Sequence, residues 1–156
     1  MSFRFISNSF PKTYEKTIQP EFQSKILTLD QTKEVNIQLF DTPSYGTFDL
    51  QSTKIYRNAH CCVLVCDRTD KDSLKVAEAA RKEFIELGKY KNFPTVLLCN
   101  KNDLQGDNKI TDQELNSYCK SISLFNVTAS NGDGIAKAFE TVARMGMKKC
   151  SEDDFE

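Results

Sequence analysis

TVLLCNKND, residues 95–103, is the stretch that best indicates how this chain folds. An almost wholly apolar run ends at once in the polar residues Asn100, Lys101 and Asp103. A second run of the same kind, CCVLVC at residues 61–66, has no polar alternation either. Apolar runs of this length are typical of strands buried on both faces, as parallel strands covered by helices are.

The segments around these two runs predict the remaining elements. Residues 22–29 and 35–40 are separated by the polar turn DQTKE and predict an antiparallel hairpin, and residues 124–129 form a weaker strand pattern. Helical spacing of apolar residues covers 72–87 and 135–147, and residues 111–120 open with the capping-box pattern TDQE. Strands alternating with helices predict an α/β fold, mostly parallel, with one antiparallel hairpin at its start.

The length, net charge and hydropathy of the chain argue against several classes of protein. The chain has 156 residues and a formal net charge of −1, which argues against a nucleic-acid binder held by phosphate contacts. No apolar run reaches the ~18 residues of a membrane span, and residues 1–10 make a poor signal peptide, so we expect a cytoplasmic protein. We expect one domain over residues 1–149 and a flexible acidic tail over residues 150–156.

The six cysteines are expected to be reduced structural thiols. Cys61, Cys62 and Cys66 lie in one apolar run and Cys99 ends another, which places them in core strands. No C-x-x-C spacing occurs and the chain has a single histidine, so neither a zinc site nor a disulfide framework is expected.

Five motifs stand in an order that resembles the Ras superfamily of small GTPases, most closely its Rab branch. FPKTYEKTIQPEF at residues 10–22 resembles the first switch segment, and DTPSYGTF at 41–48 stands where the family has D-T-A-G-Q-E-x-F. IYRNA at 55–59 with LVCDRTDKDSL at 64–74, NKND at 100–103 and TAS at 128–130 complete the series. The resemblance covers almost the whole chain and implies a P-loop NTPase-like fold with the sheet between two helix layers.

The resemblance assigns a nucleotide role to two groups of residues, with GTP or GDP and Mg²⁺ as the implied ligands. Asp103 would accept two N–H groups of guanine, Asn100 would tie loops together, and the Lys101 stem would cover the base. Thr128, Ala129 and Ser130 would border the guanine carbonyl. The residues alone also allow a solvated turn with Asx hydrogen bonds at 100–103.

Two further residues are the candidate magnesium ligands. The resemblance implies that Thr17 coordinates the ion and that Asp41 holds one of its waters. Read without the resemblance, Thr17 is equally a β-favouring residue before a strand, and Asp41 a cap at a strand end.

The phosphate loop G-x-x-x-x-G-K-[ST] does not occur, and no glycine precedes Gly46. Arg4 and Phe5 resemble the R-F pair that follows this loop in the family, so Met1 falls just after the place where the loop should end. We therefore expect the family's first strand to be missing between strands 35–40 and 61–66, leaving a gap about one strand, roughly 4.8 Å, wide. The sheet then closes up, another segment fills the gap, or the fold is marginal.

The second switch departs from the family as well. Pro43 precedes Ser44 where the family has glycine, and Tyr45 replaces the glutamine that orients the attacking water. Gln19 replaces another family glycine, and Ser130 replaces a lysine. These changes predict slow GTP hydrolysis whatever precedes the first residue.

Two functions remain open. The favoured one is a nucleotide-impaired interaction module that binds protein effectors or regulators through the switch-like surface 10–22 and 41–57. The alternative is a GTP-binding, GTP-hydrolysing Rab whose first residues are missing from this sequence, and an unrelated α/β domain is the remaining reading. The resemblance implies vesicle traffic and peripheral association with endomembranes through partners, while the single Cys150 does not support prenylation.

Overall fold

The computed structural model describes residues 1–13, 16–43, 50–88, 93–104, 106 and 109–153. Within these ranges five strands and five helices follow one another in the order α1–β1–β2–α2–β3–α3–β4–α4–β5–α5. The strands are β1 Glu21–Leu29, β2 Lys33–Asp41, β3 Cys62–Asp67, β4 Thr95–Asn100 and β5 Ser123–Asn126. The helices are α1 Ser2–Ser7, α2 Leu50–Arg57, α3 Lys71–Gly88, α4 Asp112–Tyr118 and α5 Ile135–Asp153.

The predicted α/β architecture is confirmed. β3, β4 and β5 form a parallel sheet with β4 in the centre, and β1 and β2 form an antiparallel hairpin. The apolar stretch at residues 95–100 is that central strand: Val96, Leu97, Leu98 and Cys99 are all 0 % exposed. A central strand covered on both faces excludes polar residues, which is why its sequence shows no alternation.

The hairpin and the parallel sheet do not close into one sheet in the described part of the chain. The hairpin is instead joined to the rest of the fold through side chains: Leu29 and Ile37 pack in one core cluster with Phe139 of α5 and Leu98 of β4. On the same face Val65 of β3 stays 44 % exposed. The apolar surface of β3 is therefore less covered than that of β4.

A second core lies on the opposite face of the parallel sheet. It joins β3 and β4 to α3 and α4 through Phe84, Leu97, Ile110 and Leu115, among others. Together the two clusters hold the parallel sheet between helices. Because the three strands are parallel, their carboxyl ends lie at the same edge of the sheet. That edge carries the candidate site.

Two local structures confirm the sequence patterns closely. Thr111 caps α4 in a complete capping box, in which its hydroxyl accepts from Glu114 N–H at 3.2 Å and Glu114 accepts from Thr111 N–H at 2.7 Å. The β1–β2 turn has left-handed backbone at Asp30 (φ 51°) and Gln31 (φ 65°), and Arg144 of α5 holds the Asp30 carboxylate with two hydrogen bonds.

The structure contains two helices that the sequence did not predict and a third that is longer than predicted. Neither α1 nor α2 was predicted, and α5 continues past the predicted end at residue 147 to Asp153. Residues 154–156 of the predicted tail lie outside the described residues. All six cysteines are free. Cys62, Cys66 and Cys99 are buried in β3 and β4 as predicted, whereas Cys61 precedes β3 and is half-buried. None of the helices in the described ranges has the length and apolar character that crossing a bilayer requires.

Candidate functional site

The predicted base-contacting residues lie together where β3, β4 and β5 end. Asn100 is the last residue of β4, and the loop after β5 carries Thr128, Ala129 and Ser130. Ligands of open α/β sheets bind at this carboxyl edge, because the loops that follow parallel strands meet there.

Asn100 joins the two loops directly. Its side-chain oxygen accepts the Ala129 N–H at 3.0 Å, and Asn102 N–H donates to Val127 O at 3.4 Å. Ala129 itself is 4 % exposed. The Ala129 amide, which the resemblance places against a guanine carbonyl, is thus engaged within the protein.

Asp103 and Lys101 are also paired inside the chain. The Ser130 hydroxyl donates to Asp103 Oδ2 at 3.2 Å, although both side chains are exposed to solvent. Lys101 has left-handed backbone (φ 61°), and its Nζ lies 2.6 Å from Asp67 Oδ2. A bulky residue with positive φ is uncommon and costs free energy, so Lys101 is held in a strained conformation in the base corner, by which we mean residues 100–103 and the loop at 128–130.

Asp67 organises the same corner from β3. Its Oδ1 accepts from both the amide and the hydroxyl of Thr69 at 2.9 and 2.7 Å. Burial raises the pKa of this carboxyl, but the hydrogen bonds from Lys101 and Thr69 outweigh burial and the net direction is down. The carboxylate therefore stays ionised and holds the Lys101 ammonium near neutral pH.

Arg4 of α1 binds the loop between β5 and α5, called here the base loop (residues 127–134), and the sequence analysis did not predict this role. Its Nε donates to Ala129 O at 2.7 Å and its Nη2 donates to Ser130 O, while Nη1 donates to Asn8 O at 2.8 Å. Phe5, the next residue, stacks on Phe139 with ring centroids 3.7 Å apart. The sequence signal for this role was the Arg4-Phe5 pair, which indicated only where the start of the chain aligns with the family.

The loop reaches α5 through two glycines with left-handed backbone, Gly132 (φ 92°) and Gly134 (φ 73°). Thr128 and Asp133 pair across it, since Thr128 N–H donates to Asp133 O at 3.0 Å. Thr128 is 3 % exposed. The loop is therefore closed on itself and anchored in the core.

The two candidate magnesium ligands have different surroundings. Asp41 ends β2, and its Oδ2 accepts from the Ser2 hydroxyl at 2.7 Å. Thr17 is half-buried in the segment between α1 and β1. Among the described residues, no group of three or more His, Cys, Asp or Glu side chains could hold a metal ion. Ser44 and Tyr45 of the second switch lie outside the described residues.

A model of the Ras family matches residues 1–148 of this chain. The chain belongs to the Ras family. Within it, the Rab-like chain is 32 % identical over 157 aligned residues to the Ypt/Rab-type GTPase YPT7 of Saccharomyces cerevisiae, covering 96 % of this chain and 76 % of that protein. It is also 31 % identical to the Ras-related protein Rab-7a of Paramecium octaurelia, covering 90 % of this chain and 71 % of that protein.

Ras-family membership implies guanine nucleotides and Mg²⁺ as ligands in general. The corner formed by Asn100, Asp103 and Ala129 has the hydrogen-bonding groups for a guanine base. On the metal side, Asp41 supplies one carboxylate, which Ser2 already engages.

Proposed function

We propose that this Rab7/Ypt7-like chain acts as a protein-interaction module in vesicle traffic and holds guanine nucleotide only weakly. Its partners are effectors or regulators that bind the switch-like surface 10–22 and 41–57, to which we add the hairpin between the two segments; residues 44–49 of that surface lie outside the described residues. Through such partners it associates with endomembranes from the cytoplasm. Two sets of contacts support this proposal, one on the hairpin and one in the base corner.

The observation that carries the proposal is an apolar face on the β1–β2 hairpin. Phe22 and Phe40 are register partners whose rings lie 5.2 Å apart, and they are 57 % and 42 % exposed. Ile26 lies on the same face and is 62 % exposed. Phe10 and Ile18 in the preceding segment add 55 % and 87 % exposed side chains. Exposed apolar groups that cluster in this way mark protein–protein interaction sites.

The contacts within the base corner support the second part of the proposal, that nucleotide binding is weak. Each group that guanine would use is already paired within the chain: Asp103 with Ser130, Lys101 with Asp67, and the Ala129 amide with Asn100. A ligand has to exchange these bonds for its own, so its net gain is smaller than the sum of its contacts. In the family, bound GTP or GDP with Mg²⁺ supplies the switching chemistry, and here Thr17 and Asp41 are the proposed metal-side residues.

The interaction part is tested with purified effectors and regulators of Rab7-class GTPases, immobilised one at a time. We expect at least one to bind the chain, and Phe22→Ser or Phe40→Ser to weaken that binding at least about tenfold, roughly 1.4 kcal/mol. Phe3→Ser is the matched control, because Phe3 is 50 % exposed on α1 and lies outside the hairpin. Binding that survives both hairpin changes, or no binding at all, contradicts the interaction proposal.

The nucleotide part is tested separately by titrating fluorescent GDP with Mg²⁺ onto the chain. We expect a dissociation constant weaker than about 10 μM. Tighter binding that is lost in Asp103→Ala would refute the impairment and favour the GTP-binding, GTP-hydrolysing alternative. Asp133→Ala is the control, since that carboxylate lies on the same loop but outside the corner.

A further inference from the structure

An open cavity of about 450 Å³ lies between α1, β1 and the first turns of α5. Its lining is mostly apolar, and Phe5, Leu27, Leu29 and Ile135 contribute to it. None of the residues that line it belongs to the base corner or to the exposed apolar face of the hairpin. Cavities of this size with an apolar lining and a few polar groups are typical of small-molecule sites.

Two cationic side chains line this cavity, and neither pairs with a carboxylate among the described residues. The half-buried Lys25 donates from Nζ to Phe5 O at 2.5 Å and lies 5.0 Å from the centroid of the Phe5 ring. Arg4 is also half-buried, and all of its hydrogen bonds go to uncharged oxygens of Asn8 and of the base loop. Both cations favour an anionic ligand, because an ionised acceptor adds Coulomb attraction to hydrogen bonds that neutral oxygens now accept.

The start of α5 makes the potential in the cavity more positive. Ile135 and Ala136 line the cavity and are the first two residues of this helix, whose first turn carries no acidic residue. The N-terminus of a helix has a partial positive charge of about half an elementary charge. Glu140 also lines the cavity one turn further on, but its carboxylate is paired with Arg144 at 2.8 Å. Even with Glu140 counted in full, the two cations leave the lining with a net positive charge.

We propose that this cavity binds a small amphipathic monocarboxylate. Its hydrocarbon part lies along Leu27 and Ile135, and its carboxylate accepts hydrogen bonds from Lys25 and Arg4. Inorganic phosphate would leave the apolar lining exposed to water, whereas a neutral hydrocarbon would leave both cations without an anion. Burial of the apolar part supplies binding free energy, and the charged end fixes the orientation.

Arg4 couples the cavity to the base loop. Its Nε donates to Ala129 O at 2.7 Å, and its Nη2 donates to Ser130 O. A carboxylate in the cavity competes with these two carbonyls for the same guanidinium, so binding loosens the hold of α1 on the loop. Neither the site nor this coupling rests on the proposed function, because neither requires an effector or a nucleotide.

The experiment titrates sodium octanoate into the full ¹⁵N-labelled chain at pH 7 and follows its ¹H–¹⁵N spectrum. We expect saturable shifts at the backbone amides of Gly132 and Ala136 and at the Arg4 Nε–H, with a dissociation constant of about 1 mM. Ala129 and Ser130 should shift with them, because Arg4 holds both carbonyls. Acetate lacks the hydrocarbon chain and 1-octanol lacks the charge, so each should bind at least about fivefold more weakly.

Substitutions at three positions locate the site. Lys25→Met removes the charge and keeps the stem, so octanoate should bind at least about fivefold more weakly, whereas Lys25→Arg should retain binding. Lys33→Met is the matched control, because Lys33 is an exposed lysine of the same hairpin that does not line the cavity. Ala136→Phe places a ring in the cavity from an exposed helix position and should abolish binding, whereas Ala136→Ser leaves the space open and should retain it.

The same spectra check that each variant is folded, since a native chain gives dispersed amide signals. Octanoate shifts that saturate at the cavity and depend on Lys25 and Ala136 support the proposal. It is overturned if octanoate shifts no cavity signal up to about 20 mM, if 1-octanol binds as tightly as octanoate, or if Lys25→Met and Lys33→Met bind alike. Shifts confined to the exposed apolar face of the hairpin would equally overturn it.

Discussion

Gly134 gives the sharpest test of how the base loop is anchored. Its φ is +73°, and a Cβ placed on it would lie 2.6 Å from Asn126 O and 3.2 Å from Val127 Cγ1. Left-handed backbone costs an L-residue roughly 1–2 kcal/mol, and carbon atoms prefer contacts of about 3.5–4.0 Å. The Asn126 carbonyl belongs to β5 and cannot move without disturbing its pairing with β4. We therefore expect Gly134→Ala to lower the free energy of unfolding by about 3 kcal/mol.

Two other glycines serve as matched controls for the same substitution. Gly132 also has a positive φ (+92°), but an added Cβ meets only Arg4 Cδ at 3.5 Å and Asn8 Oδ1 at 3.9 Å. Gly132→Ala should cost the backbone strain alone, about 1–2 kcal/mol. Gly146 lies inside α5, where the nearest atom is His60 Cβ at 3.7 Å. Gly146→Ala should stabilise the protein by about 0.5–1 kcal/mol, because alanine is the better helix former.

Urea unfolding followed by far-UV circular dichroism measures all three changes, which is convenient because the chain contains no tryptophan. The difference between Gly134→Ala and Gly132→Ala isolates the steric clash with β5. The reasoning is refuted if the two variants differ by less than about 0.5 kcal/mol, or if Gly146→Ala destabilises the protein by more than about 1 kcal/mol.

Two predictions concern other local structures. Gln31→Gly should raise the free energy of unfolding by about 0.5 kcal/mol, because exposed Gln31 has φ 65° and glycine adopts that conformation without strain; urea unfolding checks it, and any loss of stability contradicts it. Three hydrogen bonds lower the pKa of the Glu114 carboxyl from 4.5 to about 2: the largest effect comes from the Thr111 backbone N–H, followed by the side chains of Lys71 and Thr111. The carboxylate's stabilising effect is therefore complete above pH 4.5 and is lost as the pH falls towards 2. Glu114→Gln should remove this part of the acid dependence of the melting temperature, whereas equal slopes in the wild type and the variant between those pH values would show that the carboxylate contributes nothing.

Local signals in the sequence were enough for the elements whose formation depends on near neighbours. The hairpin, the capping box at Thr111 and the buried run of β4 each follow from residues within a few positions of one another. Motif order was likewise enough for membership of the Ras family. The short helices α1 and α2 escaped notice, because one or two turns contain too few residues to establish a helical period.

Contacts between distant residues were decided only by the tertiary structure. Arg4 reaches Ala129 across 125 positions of sequence, and Arg144 reaches Asp30 across 114. The register that pairs Cys66 with Cys99 likewise depends on how the two cores pack. The sequence predicted a gap between residues 35–40 and 61–66 but left open whether the sheet closes across it, and among the described residues it does not. Local periodicity reports which face of an element is buried but not which partner covers it, since many partners of similar size and polarity satisfy the same pattern.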